Sequence, residues 1–183
     1  MTHPAYTAAE ARSRETFLAL MWALSYPGSN YSLPDAGEPL VTIAETLLDL
    51  ETSYYTPDDD ALAAALAHTG ARNLPPDGAA YHFYPVLSAS ALAAVQQASA
   101  GTMLYPDTAA TLIIGCTFGG GMSLRLEGPG IDGQTHVDAG DLPEAFWELR
   151  RSVCRFPLGW DVYFVDGRRV MGLPRSTKVT QLS

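Results

Sequence analysis

The chain has 183 residues, the size of one ordinary domain, and its 47% apolar and 17% charged residues suit a buried core rather than disorder. Eleven basic against 20 acidic residues give a formal charge of −9, which disfavours a nucleic-acid backbone or an anionic membrane surface as partner. No apolar run reaches the ~18 residues of a membrane span, and Met1-Thr2-His3-Pro4 lacks the basic start of a signal peptide, so a cytoplasmic location is expected.

Ala8 to Leu24 reads as an amphipathic helix, capped by Thr7, with Phe17, Leu20, Met21 and Leu24 at helical spacing and Pro27-Gly28 ending it. Tyr31–Leu33 reads as a short strand, Leu40–Leu50 as a second helix and Ser53–Thr56 as a strand. Pro57 suits the first turn of a third helix, with Asp58, Asp59 and Asp60 favoured near its positive end and a stop around Gly70. Tyr81–Tyr84 reads as a strand, Ser88–Ala98 as a helix, and Thr111–Thr117 and Met122–Glu127 as strands with Gly119-Gly120-Gly121 as the hairpin turn between them. Pro143–Val153 reads as a helix with Arg150 and Arg151 near its end. Trp160–Val165 and Arg169–Leu173 read as strands joined at Asp166-Gly167. Helices alternate with strands first and strands dominate later, so the pattern predicts one layered α/β domain over residues 1–183 with a mixed sheet.

The chemistry-bearing residues exclude more than they nominate. Lys178 is the only lysine and lies beside Thr177 and Thr180 near the C-terminus, so a pyridoxal anchor is not expected. His3, His68, His82 and His136 stand singly, without metal-ligand spacing; His82, central in its strand, is the one to inspect for a pocket. Cys116 and Cys154 sit among apolar residues and read as small reduced hydrophobes. The glycine run has no Lys and opens no helix, which excludes a P-loop, and no GxSxG elbow occurs. No catalytic residue, metal or cofactor is therefore assigned. Seven of the eleven basic residues lie from Arg150 onward, which suits a docking surface for another subunit, with Arg150 and Arg151 as its first candidates. Trp22, Trp147 and Trp160 are candidate interface anchors, although a tryptophan in such a chain is more often core than interface.

One constellation stands apart. Phe156-Pro157-Leu158-Gly159-Trp160-Asp161 precedes the last hairpin and Pro174-Arg175-Ser176-Thr177 follows it, so Asp161 and Arg175 are expected to meet across its open end. Such a pair either orients a loop or a neighbouring chain, or helps hold an anion. Arg175, Asp161, Thr177 and Arg125 are the anion-binding or interface candidates.

At these residues the chain resembles the PhnH family, the H subunit of the bacterial carbon–phosphorus lyase core complex. FPLGWD is similar to the family's Phe-Pro-Leu-Gly-x-Asp, and Pro174–Val179 to its Pro-Arg-Thr-Thr-x-Val. Leu126–Ile131, Gly101-Thr102, Pro106, Ala110–Leu112 and His68–Ala71 match further landmarks in order, and the likeness runs from about Phe17 to Val179. Leu18 stands where the family usually has Arg, and Ser176 where it has Thr. The resemblance implies a three-layer fold like that of pyridoxal-phosphate-dependent transferases without the cofactor, and a homodimer when isolated. It also implies assembly with the G, I and J subunits. With G and I, the family supports displacement of adenine from ATP by an alkylphosphonate, giving a ribose 1-alkylphosphonate 5-triphosphate; radical C–P cleavage belongs to the J subunit.

Overall fold

The computed structural model describes residues 6–57 and 59–182; Asp58 and His3 lie outside them. In chain order the elements are α1 (Ala8–Ser25), β1 (Asn30–Ser32), α2 (Pro39–Leu47), β2 (Ser53–Tyr55), α3 (Asp60–Ala67), β3 (Arg72–Asn73), β4 (Tyr81–Tyr84), α4 (Ala89–Val95), β5 (Thr111–Gly115), β6 (Thr117–Glu127), β7 (Thr135–Gly140), α5 (Glu144–Val153), β8 (Asp161–Asp166), β9 (Arg169–Leu173) and β10 (Lys178–Gln181). A mixed seven-stranded sheet runs β1-β9-β8-β5-β4-β2-β3, and a second, three-stranded sheet runs β10-β6-β7. Strands β3, β2, β4, β5 and β8 are parallel neighbours, whereas β8–β9 and β9–β1 are antiparallel.

The central strands are buried on both faces, which is why they read as apolar runs rather than alternating ones. Phe83, Ile113, Tyr163, Val165 and Val170 join one core with Ala19, Leu20 and Ala23 of α1 and with the inner residues of α2 and α3. Tyr84, Leu112, Ile114, Val162 and Phe164 join the other, with α4, α5 and Leu124, Leu126 and Ala139 of the second sheet. The three-stranded sheet is thus part of the covering layer of the larger one. Among the described residues no helix is long and apolar enough to cross a membrane.

Helix α1 begins as expected, with a capping box in which Glu10 N–H donates to Thr7 Oγ1 at 3.2 Å and Thr7 N–H to Glu10 Oε2 at 2.8 Å. Its buried face differs from the one expected. Thr16, Ala19, Leu20 and Ala23 turn inward, Leu24 is half-buried, and Phe17 and Met21 are 53% and 38% exposed. Small residues let the helix backbone lie directly on β9: a Cβ on Gly172 would sit 2.5 Å from the Ala23 carbonyl. Leu20 turns fully inward between them, whereas Phe17, Met21 and Trp22 stand on the outer flank.

Three other expectations are corrected. The glycine run is not a hairpin turn: β6 runs continuously through Gly119–Gly121, and its register against β7 shifts between Phe118 and Met122, a bulge that glycine accommodates. Helix α3 starts at Asp60, not Pro57, because the Asp59 carboxylate accepts from Leu62 N–H at 2.8 Å and caps it there. At the last hairpin Asp166 pairs with Arg169, so the turn is Gly167-Arg168, one residue later than read.

His82, at the centre of β4, is wholly buried. Its Nε2 lies 3.3 Å from the Ala79 carbonyl and must donate to it, so Nδ1 accepts the Tyr84 hydroxyl at 2.9 Å. Burial outweighs the Ala79 and Pro76 hydrogen bonds and lowers its pKa from 6.5 to about 4. Between these values the unfolded chain binds a proton that the folded chain refuses, so stability falls as pH falls through that window and is unaffected above it. Urea unfolding from pH 7 to pH 4 is expected to show an acid loss about 3 kcal/mol larger in the native chain than in His82→Gln. Equal losses in the two would count against a neutral buried His82.

Candidate functional site

The open end of the β8–β9 hairpin is closed by one carboxylate. Asp161 starts β8, and its Oδ1 accepts the Arg175 backbone N–H at 2.8 Å while its two oxygens accept Arg175 Nε and Nη2 at 3.2 and 2.6 Å. Arg175 Nη1 donates to the Pro106 carbonyl at 2.6 Å, which ties the loop before β5 into the same joint. The expected meeting of Asp161 and Arg175 is therefore observed, with side chains only 23% and 16% exposed. The motif residues before Asp161 build the support. Trp160 is fully buried and donates Nε1–H to the Ala98 carbonyl at 3.1 Å, and Gly159 N–H donates to Ala100 at 2.9 Å. Gly159 has φ +126°, and a Cβ there would lie 2.7 Å from Cys154 Sγ, so only glycine fits this crossing.

Beyond the clamp lies a cleft of about 210 Å³ between α5, the loop 174–177 and β10. Arg150, Arg151, Arg175 and Lys178 line it, and none of its lining residues is acidic. Arg150 is the unusual one. Its residue is 3% exposed, and Nη1 and Nη2 donate to the carbonyls of Thr177 and Pro174 at 3.2 and 2.7 Å. It forms no salt bridge among the described residues, and Nε has no partner. Burial pulls its pKa down, the fields of Cys154 and Asp161 oppose this, and a guanidinium remains charged at neutral pH in any case. Thr177 Oγ1 and Trp147 Nε1, on two residues of the cleft's lining, are likewise closed off without a partner. Each orphaned buried polar atom costs about 1–3 kcal/mol, and an unpaired charge more.

Arg150 is therefore not the surface docking charge expected of it. Phe146 and Trp147 precede it by four and three residues, so it falls on the inward face of α5. That spacing was the available signal: an arginine at a core position of an amphipathic helix. Arg151, one position on, is exposed, and its Nη2 donates to Gln181 Oε1 at 2.6 Å. Trp147 and Trp160, proposed as interface anchors, are 3% and 0% exposed and belong to the core, whereas Trp22 is 43% exposed.

The remaining candidates do not converge. Thr177 lies in the cleft, but Arg125 stands on β6 opposite Thr180, 4.0 Å from Glu127 and outside the cleft lining. Lys178 is 74% exposed and 3.6 Å from Glu127, a solvent-facing amine rather than a buried one. His68 and His136 are exposed, and His82 is occupied within the core. Burial, with Asp166 and Asp141 nearby, pushes the Cys116 thiol up to about 12, far from a nucleophile's range. No group of three His, Cys, Asp or Glu side chains that could hold a metal ion occurs among the described residues.

Asp161→Asn leaves the Arg175 guanidinium facing a neutral amide in a mostly buried joint. A loss of roughly 3 kcal/mol in urea unfolding is expected. Asp35→Asn, which breaks the solvent-facing pair with Arg168 at 3.3 Å, is expected to cost less than about 1 kcal/mol. Equal effects would remove the clamp from its structural role.

Comparison with known proteins bears on the same residues. The family model described as bacterial phosphonate metabolism protein (PhnH) matches residues 4–180, which include the clamp and the cleft. HtxG of Stutzerimonas stutzeri, named as a C-P lyase subunit protein, is 30% identical over 171 residues, covering 92% of this chain and 86% of that protein. A match of this extent settles membership: the chain belongs to the PhnH family of bacterial phosphonate metabolism proteins, and its place is in the phosphonate C–P lyase system.

Proposed function

We propose that this chain is an accessory, non-catalytic subunit of the C–P lyase system that acts in the cytoplasm with G, I and J subunits. In this reading it supports the step in which an alkylphosphonate oxygen bonds to C1′ of ATP as the bond to adenine N9 breaks. The product is a ribose 1-alkylphosphonate 5-triphosphate. The observation that carries the reading is the outer flank of α1. Phe17, Leu18, Met21, Trp22 and Tyr26 stand between 36% and 53% exposed along one helix, while the described histidines and cysteines offer no converging acid, base and nucleophile. A row of large apolar side chains along one helix, with further exposed ones at Met103, Leu104, Tyr105 and Phe156, suits assembly better than turnover. Leu18, which replaces the family's usual Arg, lies within that row and makes it more apolar. The layered architecture, helices on one face of a mixed sheet and helices plus a small sheet on the other, is compatible with the pyridoxal-dependent transferase likeness.

A second reading, a subunit that itself contacts phosphate or phosphonate, is favoured by the basic cleft beside Arg175. Arg175 is already committed to Asp161 and Pro106, and Arg125 lies elsewhere, so neither is its principal ligand.

The purified chain is expected to release no adenine from ATP and methylphosphonate, and a mixture with its G and I partners to release it. Adenine release by the single subunit that survives extensive repurification would overturn the reading. The isolated chain is further expected to run at twice its monomer mass in light scattering. Leu18→Glu with Trp22→Glu should shift it to monomer, or abolish its uptake by G and I, without lowering its melting temperature. A native chain that is monomeric at micromolar concentration would remove the dimer from the proposal.

A further inference from the structure

We propose that two adjoining turns, residues 102–105 and 155–158, form a docking surface for a different protein chain, one that offers an apolar pocket rimmed with carboxylates. This second contact rests on the assembly reading, since it needs a partner, but it lies apart from the flank of α1.

Both turns are closed by paired backbone bonds. Thr102 N–H donates to the Tyr105 carbonyl at 3.1 Å, and Tyr105 N–H to that of Thr102 at 3.2 Å. Arg155 and Leu158 exchange the same two bonds at 3.0 Å each. Central positions of tight turns ordinarily hold Gly, Pro, Asn, Asp or Ser. Pro157 follows that rule, but Met103, Leu104 and Phe156 do not, and they stand 71%, 84% and 73% exposed. Tyr105 is exposed beside them. Single apolar residues scattered over a surface need no explanation, whereas four on two adjoining turns do.

The turns adjoin because their stems are tied together. They precede two neighbouring parallel strands, β5 and β8, at the end where Thr111 pairs with Asp161. Gly159 N–H donates to the Ala100 carbonyl at 2.9 Å, Trp160 Nε1–H to that of Ala98, and Arg175 Nη1 to that of Pro106. The tips are thus presented already ordered, which spares a partner the entropy of fixing them.

Charge selects the partner. Arg155 opens the second turn and Arg151 lies four residues before it; both are exposed. Neither forms a salt bridge among the described residues, and Arg151 meets the neutral Gln181. Residues 150–160 contain no acid, and Asp107 is the one carboxylate in residues 96–110. On a chain of formal charge −9 this end is basic, and carboxylates around a partner's pocket complement it. Tips facing the tips of a second copy would instead set arginine against arginine. An anionic bilayer would meet a chain with an excess of acid.

Binding of the full chain to each of the purified G, I and J subunits, followed by biolayer interferometry, tests this. The native chain should bind at least one of them. Leu104→Ser with Phe156→Ser should weaken that contact about tenfold or more. Arg155→Glu should weaken it as well, and so should raised salt. These variants should keep the native melting temperature and the native mass in light scattering, because the tips lie outside both cores. Tip variants that bind every subunit as the native chain does overturn the docking surface and leave the assembly reading standing. So does an Arg155→Glu chain of unchanged affinity, a tip variant whose solution mass differs from native, or a tip effect seen only in flotation with phosphatidylglycerol vesicles. A native chain that binds none of the three subunits overturns both.

Discussion

The Asp161–Arg175 joint is the constraint on which the C-terminal half depends. A hairpin has one closed end and one open end, and nothing in the β8–β9 pairing itself fixes where the chain goes after Leu173. Asp161 fixes it by accepting both the main chain and the guanidinium of Arg175, so that the exit from β9 is held against the entry to β8. A bidentate contact sets direction as well as distance. Once that exit is set, Pro174 and Thr177 present their carbonyls to Arg150, and the next residues pair with β6 as β10. The second sheet therefore has its third strand because two charges meet at the open end of two interior strands of the first. Arg175 also reaches the Pro106 carbonyl, so the loop entering β5 is positioned by the same side chain.

Trp160 and Gly159 explain why the joint is preceded by so particular a run of residues. Trp160 buries its whole ring and satisfies its indole N–H on Ala98, at the end of the α4 region. Gly159 crosses Cys154 too closely for any side chain. The end of α5, the end of α4 and the start of β8 are thereby locked together before Asp161 makes its contacts. The cleft inherits this rigidity, since its walls are α5 on one side and the loop that Asp161 holds on the other. Between those walls Arg150 is held by the carbonyls of Pro174 and Thr177, with the field of Asp161 in support.

Much of this was legible in the sequence, and what was not has a common physical cause. Strands β4, β5, β8 and β9 were read within a residue or two at each end, because their runs are apolar and bounded by turn residues. The Asp161–Arg175 contact followed from hairpin topology alone. Strands β7 and β10 were missed: Thr135–Gly140 and Lys178–Gln181 are polar and half-exposed, and they are strands only because β6 lies between them. Their state is decided by partners distant in sequence, which local pattern does not carry. The glycine run misled for the same reason, since a bulge and a turn use the same residue and differ only in what lies opposite. Arg150 carries a surface residue's charge at a core residue's helical phase, three and four positions after Trp147 and Phe146, and phase decides its burial.

Helix α1 shows how the fold and the assembly face are kept apart on one element. Beside Leu20 its inner residues are small, so that Ala19 and Ala23 bring the backbone onto β9 at Gly172. Its large apolar residues, Phe17, Met21 and Trp22, are therefore not needed by the core and lie on the flank. In an ordinary amphipathic helix the largest apolar side chains face inward, and stability and association compete for the same residues. Here they do not compete, so the outer row can be varied with little effect on the interior. The basic cleft lies in the other core's layer, on the opposite face of the large sheet, among the residues of α5 and β10. A partner seated on α1 would thus leave that cleft open, on the far side of the sheet, in the layer that the Asp161 joint keeps in register.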